Sequence, residues 1–325
     1  MCHFLTSVPA VEGSRFFFDW EISLMEWLQA SLSDGAISFI SQFSMFGEEL
    51  LMIVIMGFFY WCYDKEIGKF IGLNMLMGNV FNPMLKNIFC RLRPYFCSDG
   101  IDLKRLIDTG ADKYDVAAQG YSFPSGHSEG SAAIYGSIGL ALKKKWAVIL
   151  AFLLPLLVGI SRVVVGAHFP TDVLVGWALG VLVIFFVPWL KHKVKKRWLF
   201  YLILGLLAFP GWFYCKSNDY YTTFGMLIGY FAAEPFEEKY VRFEGTRSPV
   251  RSILRVAGGG AVYFALNTLL KLPFPAAVLE ANDLTAHLIR AGRYAIVLFV
   301  VLAIYPMLFR VTAKIGAKKE AATAA

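Results

Sequence analysis

The sequence predicts an all-α protein, a polytopic membrane bundle of about nine transmembrane helices. Of 325 residues, 57% are hydrophobic and only 17% are charged, whereas soluble domains carry about 25% charged residues. The mean hydropathy is +0.56. Charge-poor segments recur at about the 20 residues that a helix needs to cross a membrane. Since unpaired backbone groups are not tolerated in lipid and these segments lack the alternation of barrel strands, helices are expected.

Nine segments are candidate spans, and the seventh is the shortest. They comprise residues 45–63, 67–88, 126–142, 145–165, 171–190, 198–215, 221–234, 253–270 and 290–310. Upstream, residues 16–44 mix Asp19, Glu21 and Glu26 with apolar side chains, a pattern typical of interfacial amphipathic helices. No basic region followed by an apolar stretch opens the chain, so a removable signal peptide is not expected.

The lysines and arginines between the spans predict the orientation. The basic loops, and with them the C-terminus, are expected on the cytoplasmic side: residues 64–69, 143–145, 191–197, 238–251 and 314–319. The other loops and the N-terminus are expected outside: residues 89–125, 166–170, 216–220 and 271–289. The outward loop 89–125 is nevertheless basic, since it carries Arg91, Arg93, Lys104, Arg105 and Lys113. A basic loop on that side indicates a local function.

Two of the five histidines lie at span edges beside this basic loop. His127 opens the third span, whereas His168 lies between the fourth and fifth, six residues after Arg162 and four before Asp172. A carboxylate at that spacing can accept a hydrogen bond from one imidazole nitrogen and leave the other as a base or nucleophile. The pattern therefore predicts a catalytic site. The other histidines are expected to be solvated or interfacial: His3, His192 and His287.

Neighbouring residues are suited to bind phosphate. Lys86 and Arg93 lie at the end of the second span, and Ser125 and Gly126 form a helix entry before the third. Backbone N–H groups at a helix start, combined with cationic side chains, form a cradle for a dianionic phosphoryl group. The misplaced positive charge is explained if the loop binds phosphate.

Three stretches resemble the signature motifs of the type 2 phosphatidic acid phosphatase superfamily, which includes lipid phosphate phosphatases, glucose-6-phosphatases and vanadium haloperoxidases. They are Lys86-x6-Arg93-Pro94, Pro124-Ser125-Gly126-His127 and Ser161-Arg162-x5-His168-x3-Asp172. The resemblance covers about residues 45–190 and implies a five-span catalytic core there. It leaves N-terminal interfacial helices at 1–44 and a membrane extension with a basic tail at 191–325.

The resemblance implies a phosphatase that needs no metal or other cofactor and forms a phosphohistidine. His168 would attack phosphorus, Asp172 would orient it, and His127 would protonate the leaving oxygen and then activate water. The phosphoryl oxygens would be held by Lys86, Arg93, Ser125, Gly126 and Arg162. Arg91 lies outside the motif and is a weaker candidate.

The substrate is open between two classes, and a third interpretation is not enzymatic. A lipid phosphate or diphosphate is favoured, of the phosphatidic acid, phosphatidylglycerol phosphate or undecaprenyl diphosphate class. A soluble sugar phosphate is the alternative, because nine spans resemble the glucose-6-phosphatase layout. A transporter or scaffold with an incidental phosphatase core is the third, although the last spans carry little intramembrane charge. The expected partners are a phosphorylated lipid and membrane lipid, not nucleic acid, with the site on the extracytoplasmic face of the cell membrane.

Four other features have simpler interpretations. Cys90 and Cys97 flank the Arg93-Pro94 corner and either pair in a disulfide or remain free thiols. The acidic residues of the long loop lack the spacing of a calcium site and suggest a solvated lid: Asp99, Asp102, Asp108, Asp112 and Asp115. The motifs Gly176-x3-Gly180 and Gly225-x3-Gly229 predict close helix packing. The glycines at 258–260 are expected to act in the same way, with a possible kink.

Overall fold

The computed structural model describes residues 13–96 and 120–309, and the regular structure in these ranges is helical. The α-helices are α1 Asp19–Ser31, α2 Asp34–Ser41, α3 Glu49–Phe58, α4 Lys65–Phe89, α5 Gly126–Leu142, α6 Lys145–Val164, α7 Pro170–Lys193, α8 Arg197–Ala208, α9 Asn218–Phe236, α10 Pro249–Leu269, α11 Ala276–Glu280 and α12 Leu284–Phe299. Each candidate span therefore falls largely on helix. The all-α prediction is confirmed for the part of the chain that the structure describes.

Fewer spans are clear than the nine predicted. Within the described ranges, three helices are long and apolar enough to cross a membrane: Lys145–Val164, Pro170–Lys193 and Leu284–Phe309. The pair Asp34–Gly47 and Glu49–Tyr63, bent by 46°, would be a fourth if it forms one broken span. A membrane-spanning helical protein is thus confirmed, whereas the count of nine is not.

The chain divides into two compact units. The first comprises Met1–Met52, Met77–Lys193 and Phe213–Ser217. Its centre is α5 packed against α6 and α7. A Cβ atom on Gly180 of α7 would lie 2.7 Å from the Glu129 carbonyl oxygen, which is closer than real Cβ contacts come. The glycine motif of α7 therefore allows the close helix packing that the sequence predicts.

The second unit comprises Ile53–Leu76, Val194–Trp212 and Asn218–Ala325. Here α9 packs against α12, and Cβ atoms on Gly225 and Gly229 would lie 2.2 and 2.4 Å from carbonyl oxygens of α12. Of the three glycines in α10, a Cβ atom on Gly259 would lie 2.2 Å from the Trp61 ring, whereas a Cβ on Gly260 would have no neighbour within 4 Å. The predicted close packing is therefore found at Gly259 and not at Gly260.

The entry to α5 shows how local sequence starts the helix that carries the predicted site. Ser125 is extended, with φ −70° and ψ 115°, and its side chain accepts a hydrogen bond from the Ser128 N–H as an N-cap. The helix then begins at Gly126. A capping serine followed by small residues is a strong start signal, and the structure confirms it.

Candidate active site

Main-chain hydrogen bonds join the three sequence motifs. The Ser122 N–H donates to the Arg91 carbonyl oxygen at 2.7 Å, and the Ser125 N–H donates to the Asp172 carbonyl oxygen at 2.9 Å. Arg93 adds a side-chain link, since its Nε donates to the Gly120 oxygen at 3.1 Å. Segments distant in the sequence are thereby held together in the first unit.

His168 lies in the short connection between α6 and α7 and is buried. Its Nδ1 is 2.9 Å from the Ser122 carbonyl oxygen. Since a carbonyl oxygen can only accept, Nδ1 must carry the proton, and the lone pair then belongs to Nε2. The carbonyl thus selects the tautomer that a nucleophilic Nε2 requires.

The charges around His168 favour its neutral form. Burial, followed by the positive charges of Arg93, Arg162 and Lys86, holds the pKa of His168 well below its ordinary value. The three cations that the sequence assigned to phosphate therefore act on this one imidazole. A neutral imidazole is the form that can attack phosphorus.

Asp172 lies beside His168, although the contact differs from the direct hydrogen bond that the sequence led us to expect. Its Oδ2 is 3.6 Å from His168 Nδ1. The same oxygen accepts hydrogen bonds from the Ser122 hydroxyl and from the Phe169 N–H, the latter at 2.8 Å. Because Ser122 supplies its carbonyl to His168 and its hydroxyl to Asp172, it links the two side chains.

The remaining phosphate-binding candidates lie on different elements of the first unit. Lys86 is in the last turn of α4, and Ser125 and Gly126 form the start of α5. Arg162, near the end of α6, donates from Nη1 to the Ser44 hydroxyl at 3.3 Å. Cations and a helix N-terminus in one unit, with three of those cations acting on His168, are suited to bind an anion.

His127 has a partner that the sequence motifs do not include. Its Nε2 is 3.3 Å from Glu48 Oε1, on the residue that precedes α3. Burial and the positive charge of Arg162 act against the protonated imidazole, whereas the Glu48 carboxylate favours it. Glu48 could not be found from the sequence, because its position within an apolar segment does not indicate which histidine it would contact.

The described residues contain no group of three or more His, Cys, Asp or Glu side chains arranged to hold a metal ion. The acidic residues of the long loop lie outside the described residues, as does Cys97. The alternatives for Cys90 and Cys97, and for the lid, therefore stay predictions.

Comparison with known proteins decides the family. A family model of the PAP2 superfamily matches residues 68–196, and a second, the transmembrane extension of PAP2 superfamily phosphatases, matches residues 221–318. Phosphatidylglycerophosphatase B of Bacillus subtilis is 35% identical over 160 residues, which cover 45% of this chain and 70% of that protein. The chain belongs to the PAP2 superfamily. The expected phosphatase class is thereby confirmed.

Two further PAP2 proteins are similar to this chain. The undecaprenyl-diphosphatase of Sulfolobus acidocaldarius is 28% identical over 159 residues, covering 48% of this chain and 70% of that protein. The crystal structure of a transmembrane PAP2-type phosphatidylglycerolphosphate phosphatase from Bacillus subtilis matches 55% of this chain and 87% of its own, at 28% identity and a TM-score of 0.43.

Arg91, outside the PAP2 motif, is completely buried at the site. Its Nη1 donates to Asp172 Oδ1 and its Nη2 to Glu21 Oε2, both at 2.7 Å. Its guanidinium also lies over the rings of Phe16 and Phe169, at 4.6 and 4.0 Å from their centroids. Arg91 was a weaker candidate from the sequence, whereas the structure places it in direct contact with Asp172.

Glu21 was expected to lie on an interfacial helix, and its carboxylate is fully buried. It lies on α1, before the part of the chain that the PAP2 model matches. An acidic residue among apolar neighbours was the available signal, but the contact with Arg91 joins residues 70 positions apart, which helix periodicity cannot predict.

Proposed function

We propose that this PAP2 phosphatase hydrolyses a phosphate monoester or diphosphate of a membrane lipid through a phosphohistidine on His168. The observation that carries the proposal is the Nδ1 hydrogen bond to the Ser122 carbonyl oxygen at 2.9 Å, which leaves the lone pair on Nε2 of a neutral imidazole. That is the state in which histidine attacks phosphorus.

The proposed reaction has two displacements at phosphorus. In the first, His168 Nε2 forms a bond to phosphorus as the bond to the leaving oxygen breaks, and protonated His127 gives its proton to that oxygen. In the second, His127 takes a proton from water, the water oxygen bonds to phosphorus, and the P–N bond breaks to release phosphate. Glu48, 3.3 Å from His127 Nε2, is the carboxylate that favours the protonated state needed at the start, against the burial of the ring and the charge of Arg162.

Asp172 is proposed to orient His168 and to stabilise the positive imidazole ring formed in the first step. Lys86, Arg93, Arg162 and the start of α5 at Ser125 and Gly126 are proposed to hold the phosphoryl oxygens. The influence of the three cations on His168 supports this assignment. Since these groups can offset the charge of the transition state by themselves, no metal or other cofactor is required in the proposed mechanism.

A lipid substrate is supported by the relatives. Their names describe a phosphatidylglycerophosphatase, undecaprenyl-diphosphatases and lipid A phosphatases. Each of these acts on a phosphorylated lipid, so we infer the same substrate class for this membrane protein. A soluble sugar phosphate serves as the contrasting substrate in the experiment.

Phosphate release from the full-length protein in detergent tests the proposal. The substrates are phosphatidic acid, phosphatidylglycerol phosphate, undecaprenyl diphosphate and glucose 6-phosphate, each with EDTA present. We expect release from at least one lipid, inhibition by vanadate, and loss of essentially all activity in His168→Ala. His192→Ala, at an exposed histidine on the last turn of α7, is the matched control and is expected to keep normal activity.

Three results would contradict the proposal. Turnover abolished by EDTA would overturn the metal-free mechanism, and near-normal turnover in His168→Ala would overturn the nucleophile. Phosphate release from glucose 6-phosphate and from none of the lipids would show that the substrate is a soluble sugar phosphate and not a lipid.

We also propose the finer membrane arrangement: nine spans, interfacial helices at 1–44, a catalytic core at 45–190 with an extracytoplasmic site, and an extension at 191–325 with a cytoplasmic C-terminus. The distribution of basic loops supports it. Lys216→Cys and Lys195→Cys, each introduced into a variant without native cysteines, test the sidedness in intact cells. A membrane-impermeant thiol reagent is expected to label position 216 and not 195; the reverse pattern would overturn the orientation.

A further inference from the structure

Arg91 is a buried cation that bridges two carboxylates. Its side chain, like those of Glu21 and Asp172, has no exposed surface. Nε donates to the Phe16 carbonyl oxygen at 2.8 Å, Nη1 to Asp172, and Nη2 to Glu21. The planar guanidinium is suited to this task because its donors point in fixed directions, which a lysine cannot reproduce.

The Glu21 carboxylate is held as firmly as the guanidinium it contacts. Oε2 accepts from Arg91 Nη2 at 2.7 Å and from the Phe18 N–H at 2.9 Å. Oε1 accepts from the Thr171 N–H at 3.0 Å and from its hydroxyl at 2.5 Å. Both oxygens therefore face donors only. A glutamine would turn its NH2 group toward donors at one of the two positions.

Thr171 is the second link, after Arg91, between Glu21 and the active site. Thr171 directly precedes Asp172 in the first turn of α7. Its hydroxyl accepts a hydrogen bond from Arg91 Nη1 at 2.7 Å while donating to Glu21. Glu21 thus contacts both the cation that binds Asp172 and the residue that precedes Asp172.

The charges of this network match the proposed reaction. When both carboxylates are ionised, the guanidinium offsets one of the two negative charges, and one remains buried beside a neutral His168. Attack on phosphorus makes the imidazole ring positive, and one negative charge then offsets it. If Glu21 were absent, the charges of Arg91 and Asp172 would cancel each other. The network would then stabilise the positive charge that develops on the imidazole ring less well.

We propose that Glu21 is a positioning residue of the active site, acting through Arg91 and Thr171 on Asp172. The inference rests on the proposed function of His168 and Asp172. It makes α1, which lies before the residues that the PAP2 model matches, a working part of the site.

A double-mutant cycle in the full-length protein tests the inference. Glu21→Gln is expected to lower kcat by about 10-fold or more, because Asp172 would be misplaced, with KM changed less than about twofold because Glu21 does not touch substrate. In the Asp172→Asn background the same change is expected to lower kcat less than about twofold, since the residue through which it acts is already altered. Equal losses in both backgrounds would overturn the inference. Glu26→Gln, at an exposed position of the same helix, is the matched control.

A second readout does not depend on activity. The unfolding temperature of the double variant is expected to fall by less than the sum of the two single changes, because both disturb one network. Additive shifts in unfolding temperature would overturn the inference, whichever substrate the enzyme hydrolyses. Failure of the wild-type protein to release phosphate would overturn only the proposed function. If Glu21→Gln does not fold, Arg91→Lys replaces it. That variant is expected to show the same loss of kcat, and normal kcat would overturn the inference.

Discussion

At the scale of single residues, the proposed chemistry depends on the protonation of His168. A carbonyl oxygen fixes its tautomer, and burial together with three cations lowers its pKa. Asp172 Oδ2 lies 3.6 Å from Nδ1 and contacts the Ser122 hydroxyl. The proposed orientation of His168 by Asp172 therefore acts partly through Ser122, while its carboxylate remains close enough to stabilise a positive ring.

The lowered pKa of His168 predicts the acidic limb of the pH–rate profile. The proposed attack requires the neutral imidazole, so kcat/KM is expected to reach its full value above the His168 pKa and to fall as the pH drops through that pKa. Since that pKa lies below its ordinary value, the limb is expected below about pH 6.5. The pH–rate profile is measured with a lipid phosphate and with p-nitrophenyl phosphate. A limb that appears with both substrates reflects a group of the enzyme and not a group of one substrate. An acidic limb of the enzyme at or above pH 6.5 would contradict the assignment.

At the scale of elements, the site depends on how closely α7 approaches the start of α5. A Cβ atom on Gly176 would lie 2.6 Å from the Ser125 carbonyl oxygen and 3.2 Å from the Glu129 nitrogen. Both are backbone atoms, which cannot move without displacing the helix entry. The glycine motif of α7 therefore determines where the proposed phosphate cradle lies.

Gly176→Ala is expected to displace the start of α5. We expect a loss of stability of about 1–3 kcal/mol from the overpacked interface and a fall in kcat/KM of about 10-fold from the misplaced cradle. Unfolding temperature and phosphate release measure the two effects. Gly292→Ala in α12 is the control, because a Cβ there meets nothing within 4 Å and alanine favours helix. Equal behaviour of the two variants would contradict this account of the packing.

At the scale of the whole molecule, an ion-pair network around one buried lysine joins the parts that the two PAP2 models match. Lys69 of α4 is 3% exposed, and its Nζ lies 2.9 Å from Glu66 and 2.8 Å from Glu238. It also lies 4.0 and 3.9 Å from Glu234 and Glu237. One ammonium group thus faces four carboxylates, three of them within the matched transmembrane extension.

Lys69→Met is expected to destabilise the protein, because the buried carboxylates of Glu234 and Glu237 lose a facing cation, although Glu237 keeps Lys65 at 2.9 Å. The expected loss is about 3–5 kcal/mol, measured as a lower unfolding temperature in detergent. Below that temperature kcat is expected to stay normal, since Lys69 is not among the groups acting on His168. Lys239→Met, at an exposed lysine next to Glu238, is the control. An unchanged unfolding temperature in Lys69→Met would show that the network does not stabilise the fold.

The amino-acid sequence by itself determined the helical membrane class, the approximate helix bounds and the residues of the three motifs. Hydropathy, capping and motif spacing are properties of neighbouring residues, so they can be read along the chain. The N-cap at Ser125 and the α5 bounds 126–142 are examples in which local signals were sufficient.

Tertiary structure decided the contacts that tune the site: the Ser122 carbonyl on His168, Glu48 on His127, and Arg91 between Glu21 and Asp172. Glu21 and Thr171 are 150 positions apart in the sequence. Whether a charged residue in an apolar segment faces lipid, water or a buried partner depends on which helices pack together. A buried charge is tolerated only where an opposite charge and hydrogen-bond partners lie next to it. Those partners come from distant parts of the chain, so no local sequence pattern reveals them.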